Sequence, residues 1–186
     1  MERPRAHIKR THRELKAARP GADALRSMPR FPITAVLENI RSLHNVGSIF
    51  RTSDGAGIEK LILSGYTGYP PDPKIGKTAL GSVESVPWER VPNQFEAVSG
   101  LRSRGCRIIA LEHTRNSVSY REAAYDFPAC IVLGNEVRGI TDELLGLCDM
   151  AVEIPMFGLK QSLNVSVAYG ILAYHMAGVY EAGLIR

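Results

Sequence analysis

A chain of 186 residues, 45% hydrophobic and 23% charged, has the size of one domain with its own core, and its composition excludes disordered, low-complexity and solenoid architectures. Three cysteines with no C-x-x-C pair speak against a secreted disulfide framework and for a reducing cytoplasm. The net charge of +4 is unevenly spread, because residues 1–30 hold nine basic against three acidic side chains, a net +6, which leaves −2 for the rest.

The chain therefore opens with a basic arm over residues 1–30, ahead of a domain over 31–186. Arg3, Arg5, Lys9, Arg10, Arg13, Lys16, Arg19, Arg26 and Arg30 suit a polyanionic partner, since a cation set against a phosphate releases counterions. A solvated tail is the alternative. No apolar run precedes a cleavage site, so the arm does not read as a signal peptide. Pro20-Gly21 and Pro29 then interrupt the chain.

Beyond them, strands are predicted over 33–38, 60–64, 86–91, 107–112, 129–133 and 150–154. Helices are predicted over 46–56, 95–104, 120–125 and 142–148, with a long last helix from residue 162. Ser119 and Glu122 have capping-box spacing ahead of the third helix. Leu61-Ile62-Leu63 and Ile131-Val132-Leu133 lack polar alternation, as strands buried on both faces do. The fold class is α/β, a parallel sheet covered by helices on both faces. Residues 162–180 contain no Asp, Glu, Lys or Arg, yet Ser162, Asn164, Ser166, His175, Gly170 and Gly178 make a poor membrane span. A helix buried in the protein or at a subunit interface fits better.

Ligands of open parallel sheets sit beyond the carboxyl ends of the strands. Three segments of unusual composition follow strands: Glu38-Asn39 through Arg51, Gly134 through Gly139, and Ile154 through Asn164. Familiar alternatives fail. Gly76-Lys77-Thr78 ends like a P-loop, but Pro71 stands where its first glycine is needed. No G-x-G-x-x-G follows a strand, no G-x-S-x-G is present, and the five histidines show no ligand spacing, so no metal is expected. Glu112 and Glu136 as an acid–base pair would be a weak signal.

The segments resemble the SPOUT class of RNA methyltransferases, in its SpoU/TrmH branch. Motif one resembles Glu38-Asn39 leading to His44-Asn45-Val46-Gly47-Ser48-Ile49-Phe50-Arg51-Thr52; motif two resembles Ile131-Val132-Leu133-Gly134-Asn135-Glu136; motif three resembles Ile154-Pro155-Met156 with Gln161-Ser162-Leu163-Asn164-Val165-Ser166. The resemblance implies transfer of a methyl group from S-adenosylmethionine (SAM) to a ribose 2′-hydroxyl of RNA, with S-adenosylhomocysteine (SAH) as product. It further implies a C-terminal trefoil knot and a homodimer burying the last helix. It implies Arg51, Asn45, Glu136, Ser162 and Asn164 as the catalytic set, and Leu111, Leu133, Gly134, Ile154, Met156, Ser162 and Leu163 around the cofactor, with Glu112 bordering it. Asn39 and Asn45 could also turn the chain, and Ser162 and Asn164 could start a helix. The short arm makes tRNA the first substrate expected and ribosomal RNA the second. A base-nitrogen methyltransferase of the same fold and a non-catalytic RNA-binding protein are the rival readings.

Overall fold

The computed structural model describes residues 7–21, 24 and 27–184, so Arg3, Arg5 and Arg26 of the basic arm lie outside the described residues. Within the arm, α1 (His12–Ala17) is a short exposed helix with a Thr11/Glu14 capping box. The domain follows as β1 (Phe31–Glu38), α2 (Leu43–Gly55), β2 (Ile58–Ser64), α3 (Pro73–Ala79), α4 (Ser82–Ser85), β3 (Trp88–Arg90) and α5 (Gln94–Ser103). It continues with β4 (Arg107–Leu111), β5 (Val118–Ser119), β6 (Ala129–Leu133), α6 (Asp142–Leu145), β7 (Met150–Glu153) and α7 (Val165–Leu184). The seven strands form one sheet in the order β3-β2-β1-β6-β4-β7-β5, and every pairing is parallel.

Alternation along the strands divides the core into two layers. Ile33, Ala35 and Leu37 of β1 and Ile131 and Leu133 of β6 pack with Ile49 and Phe50 of α2 and Tyr169, Leu172 and Met176 of α7. Val36, Ile62, Ile108, Ala110, Cys130 and Val132 face the other way, toward Val98 and Leu101 of α5 and Leu144 of α6. Burial on both faces accounts for the continuous apolar strand sequences.

Helix α2 is the element that presents motif one. Ser42 caps it by accepting the Asn45 N–H at 3.3 Å, and Val46, Ile49, Phe50 and Ser53 form its buried stripe at helical spacing. Gly47 is required by the crossing with α3. A Cβ there would stand 2.3 Å from the Ile75 carbonyl oxygen and 2.1 Å from the Thr78 hydroxyl, closer than any side chain can be placed. The Gly76-Lys77-Thr78 sequence belongs to α3 itself, whose N-terminus is capped by Asp72.

Two expectations need correction. No helix forms over 120–125. Ser119 pairs with Glu153 in β5, and the following N–H of Tyr120 also bonds the Glu153 carbonyl at 2.9 Å, so the backbone is committed to the sheet edge where a cap was expected. Only one turn follows, closed by Glu122 and Ala123 N–H groups on the Ser119 carbonyl. The last helix begins at Val165 rather than at residue 162, because Asn164 is its capping residue, its Oδ1 accepting the N–H groups of Ser166 at 3.0 Å and Val167 at 3.4 Å.

Candidate active site

The loops that leave β1, β6 and β7 meet at the carboxyl edge of the sheet, where their side chains bind one another. Glu38, fully buried at the end of β1, accepts the Thr141 N–H at 3.1 Å and its hydroxyl at 2.7 Å, which fixes the chain entering α6. Asn39 takes the left-handed conformation at φ 57°, which Asn tolerates better than most residues. The Asn135 amide donates to the Asn39 carbonyl at 2.9 Å, while Asn135 Oδ1 accepts the N–H groups of Val137 and Arg138, each at 3.0 Å. Asn135 and Gly139 also exchange two backbone bonds, so residues 134–139 form a tight, self-bonded loop.

Glu136 projects from that loop and accepts three hydrogen bonds: from the N–H groups of Arg41 and Ser42, each at 2.9 Å, and from the Asn45 amide at 2.8 Å. Burial alone would raise its pKa, but these donors outweigh burial and hold the carboxyl below the usual carboxylate range. The Asn164 amide in turn donates to Asn45 Oδ1 at 3.0 Å. Glu136, Asn45 and Asn164 thus form one chain of hydrogen bonds linking three loops. Each of these N–H groups has an oxygen to receive it, so the arrangement is held by the protein itself.

Beside this network lies a cleft of about 260 Å³. Leu111, Leu133, Gly134, Ile154, Met156, Ser162 and Leu163 all line it, together with Glu136 and Asn164 of the network. Polar side chains share the lining with the apolar ones, Glu112, His113 and Glu153 among them. Gly134 permits the closest backbone approach in the loop, since a Cβ there would fall 2.2 Å from the Gly139 carbonyl carbon and the Ile140 nitrogen. Glu112 does not pair with Glu136 as acid and base. Its two oxygens are taken by the N–H groups of His113 and Ile140, each at 3.0 Å. Glu153 went unnoticed in the sequence. The Ser117 hydroxyl, donating at 2.6 Å, with His113 at 3.4 Å, holds its carboxyl below the usual range.

Arg51 is not in this cleft. It lies six residues beyond Asn45 on α2, which is roughly 9 Å along the axis and about 240° around it. The side chain therefore leaves a different side of the helix, exposed, and lines a separate groove with Arg19 of the arm, Asp54 and Tyr174 of α7. Among the described residues no hydrogen bond or ion pair engages it.

An open, all-parallel sheet with helices on both faces and a cleft of mixed apolar and polar lining beyond the ends of its central strands defines an α/β protein with a candidate ligand site at the carboxyl edge of the sheet. Residues 32–174 match the SpoU rRNA Methylase family, and the chain belongs to that family. A tRNA (guanosine(18)-2'-O)-methyltransferase of Aquifex aeolicus is 37% identical over 138 residues, covering 74% of this chain and 64% of the relative. The chain thus spans less than two thirds of that relative's length. Among solved structures, the A. aeolicus TrmH/SpoU tRNA modifying enzyme superposes with a TM-score of 0.77 at 31% identity, covering 87% of this chain and 81% of its own. The SpoU methyltransferase AviRb of Streptomyces viridochromogenes, in complex with the cofactor AdoMet, superposes at 0.76 with 27% identity, covering 88% and 66%.

Proposed function

We propose that this protein is a SAM-dependent RNA methyltransferase that modifies a ribose 2′-hydroxyl, with tRNA as its first substrate. The observation that carries the reading is the junction of cleft and network: Glu136 and Asn164 belong to both. The names of the A. aeolicus relative and of the AviRb complex support the reaction and the cofactor respectively.

The residues present fit the cofactor. When bound, SAM supplies a sulfonium methyl group open to attack by an oxygen nucleophile. Leu111, Leu133, Ile154, Met156 and Leu163 would enclose its apolar and aromatic parts, while backbone groups near Gly134 and Leu163 read the polar edge of the ring. Asn45, Glu136 and Asn164 hold the loops together, and with Ser162 on the cleft lining they offer polar groups to the target nucleotide. Arg51 stabilises the alkoxide that forms at the 2′-oxygen and the neighbouring phosphate. Arginine is a poor base because its guanidinium stays protonated, so the 2′ proton passes to phosphate or water.

A homodimer through α7 is part of this reading. Val167 and Tyr174 are 50% and 56% exposed on an otherwise apolar helix, a face suited to a second copy of the chain. Arg51 shares its groove with Tyr174, so association on that side would bring it to the subunit interface. Arg19 in the same groove supports a role for the arm in contacting RNA phosphates. A C-terminal trefoil knot belongs to this reading through the family resemblance. No helix among the described residues is long and apolar enough to cross a membrane, and the free cysteines accord with a cytoplasmic setting.

Titration calorimetry with SAH tests the cleft. We expect saturable binding with one site per chain, and a protein that gives neither heat nor a thermal shift with SAM or SAH would contradict the proposal.

A further inference from the structure

The cleft occupies the β6-β4-β7 half of the sheet's carboxyl edge, and a different set of side chains lies from the loop after β6 across β1 and β2 to β3. Tyr66 and Tyr69 follow β2, Arg90 ends β3, Arg41 follows β1 and Arg138 lies in the loop after β6. All five are exposed, and Tyr66 is 62% exposed. Adjacent strands stand about 4.8 Å apart, so the edge from β6 to β3 runs roughly 14 Å, a span of a few nucleotides.

The tyrosines are exposed on a loop that is anchored before and between them. Thr67, between them, is buried. Its hydroxyl donates to the Leu37 carbonyl at 2.8 Å and accepts the Ile40 N–H at 2.9 Å. Before Tyr66, Gly65 adopts φ 62°, and a Cβ there would sit 2.0 Å from Asn39 Oδ1. That same oxygen accepts the Tyr66 N–H at 3.1 Å. The Tyr66 hydroxyl receives the Asn135 amide at 2.9 Å, so the phenol is tied to the loop that carries Glu136 while its ring remains open. Tyr69 is 42% exposed with the Arg90 guanidinium 4.5 Å from its ring centroid, a second stacked and cationic surface.

Rigid exposed aromatics interleaved with arginines have the chemistry of a platform for unstacked bases, and they are continuous with the network that borders the cleft. We infer that Tyr66, followed by the Tyr69–Arg90 pair, binds a single-stranded segment of the RNA adjoining the methylated nucleotide. The inference rests on the methyltransferase reading above and adds what holds the substrate: the target ribose is presented from a strand already splayed from its helix.

The test compares affinities, by fluorescence anisotropy, for a labelled single-stranded oligoadenylate and a labelled RNA duplex of equal length, with SAH calorimetry on each variant. Tyr66→Ala should weaken single-strand binding on the order of 5- to 150-fold, the scale for losing one base–aromatic stack, with duplex and SAH affinities unchanged. Tyr66→Phe keeps the ring, loses only the bond to Asn135, and should bind like the wild type. Tyr69→Ala should show a loss confined to the single strand as well. Equal loss on both RNAs, no loss, or a Tyr66→Phe defect as large as that of Tyr66→Ala would overturn the platform; the last would make Tyr66 a brace for the Asn135 loop. Those outcomes with SAH binding intact refute only this inference, whereas a wild-type protein that fails to bind SAH refutes the methyltransferase reading itself.

Discussion

Replacing Arg51 by alanine is expected to lower turnover on RNA by on the order of 10²–10³-fold, the scale for removing one preorganised donor from a developing oxyanion. SAH affinity should stay near wild type, because Arg51 lies outside the cleft and the loss falls on the transition state alone. Folding should be little affected. The side chain is exposed and unpaired among the described residues, so truncation removes no buried contact. Arg51→Lys separates two mechanisms. A point charge cannot reproduce the planar fork that spans ribose oxygen and phosphate, so stabilisation predicts poor rescue. Proton abstraction predicts the reverse, since lysine has the lower intrinsic pKa and is the better base. Single-turnover rates on one RNA substrate, with SAH calorimetry alongside, decide between them.

Gly134→Val is expected to lower methyl transfer by about 10²-fold or more, the scale of a displacement near 1 Å at a reacting centre, and to weaken SAH binding with it. The new side chain would begin 2.2 Å from the backbone of Gly139 and Ile140, which cannot yield without moving the whole loop. Glu136 sits in that loop, so its bonds to Arg41, Ser42 and Asn45 would be lost together. Gly100→Ala is the matched control, because a Cβ there meets nothing within 4 Å. Denaturant midpoints for both variants distinguish a moved loop from an unfolded chain. A Gly134→Val protein that binds SAH normally would remove the cleft from the account.

The central strands were legible because unbroken apolar runs such as Ile131-Val132-Leu133 have no other home than a sheet buried on both faces. β5 was not legible, being two residues whose only claim to the sheet is pairing with Val152 and Glu153. The Ser119/Glu122 spacing misled for the same reason: a local capping signal lost to a long-range strand pairing. No helix is predicted over α3 and α4, whose stretch Pro71, Pro73, Gly76 and Gly81 punctuate. Yet Pro73 occupies the first turn, where proline is tolerated. In the arm, Thr11 and Glu14 form a capping box, but the six-residue helix they start buries nothing and so carries no apolar stripe to mark it. Among the site residues, those at strand ends could be placed by topology, and the structure gathers them. Arg51 could not, because its distance from Asn45 depends on the phase of α2 and not on the motif they share. Tyr66 left no pattern at all, since an exposed aromatic on a loop has no periodicity to betray it.

The central claim is methyl transfer to a ribose oxygen, and the most direct measurement incubates the protein with methyl-labelled SAM and unmodified tRNA, with ribosomal RNA in parallel, and maps the product by alkaline hydrolysis. The account predicts that label enters tRNA and that the labelled nucleotide's 3′ linkage resists cleavage, because a 2′-O-methyl group removes the attacking hydroxyl. Label that survives in a fully hydrolysed mononucleotide, and so resides on a base, or no label in either RNA from a protein that binds SAH, would contradict it.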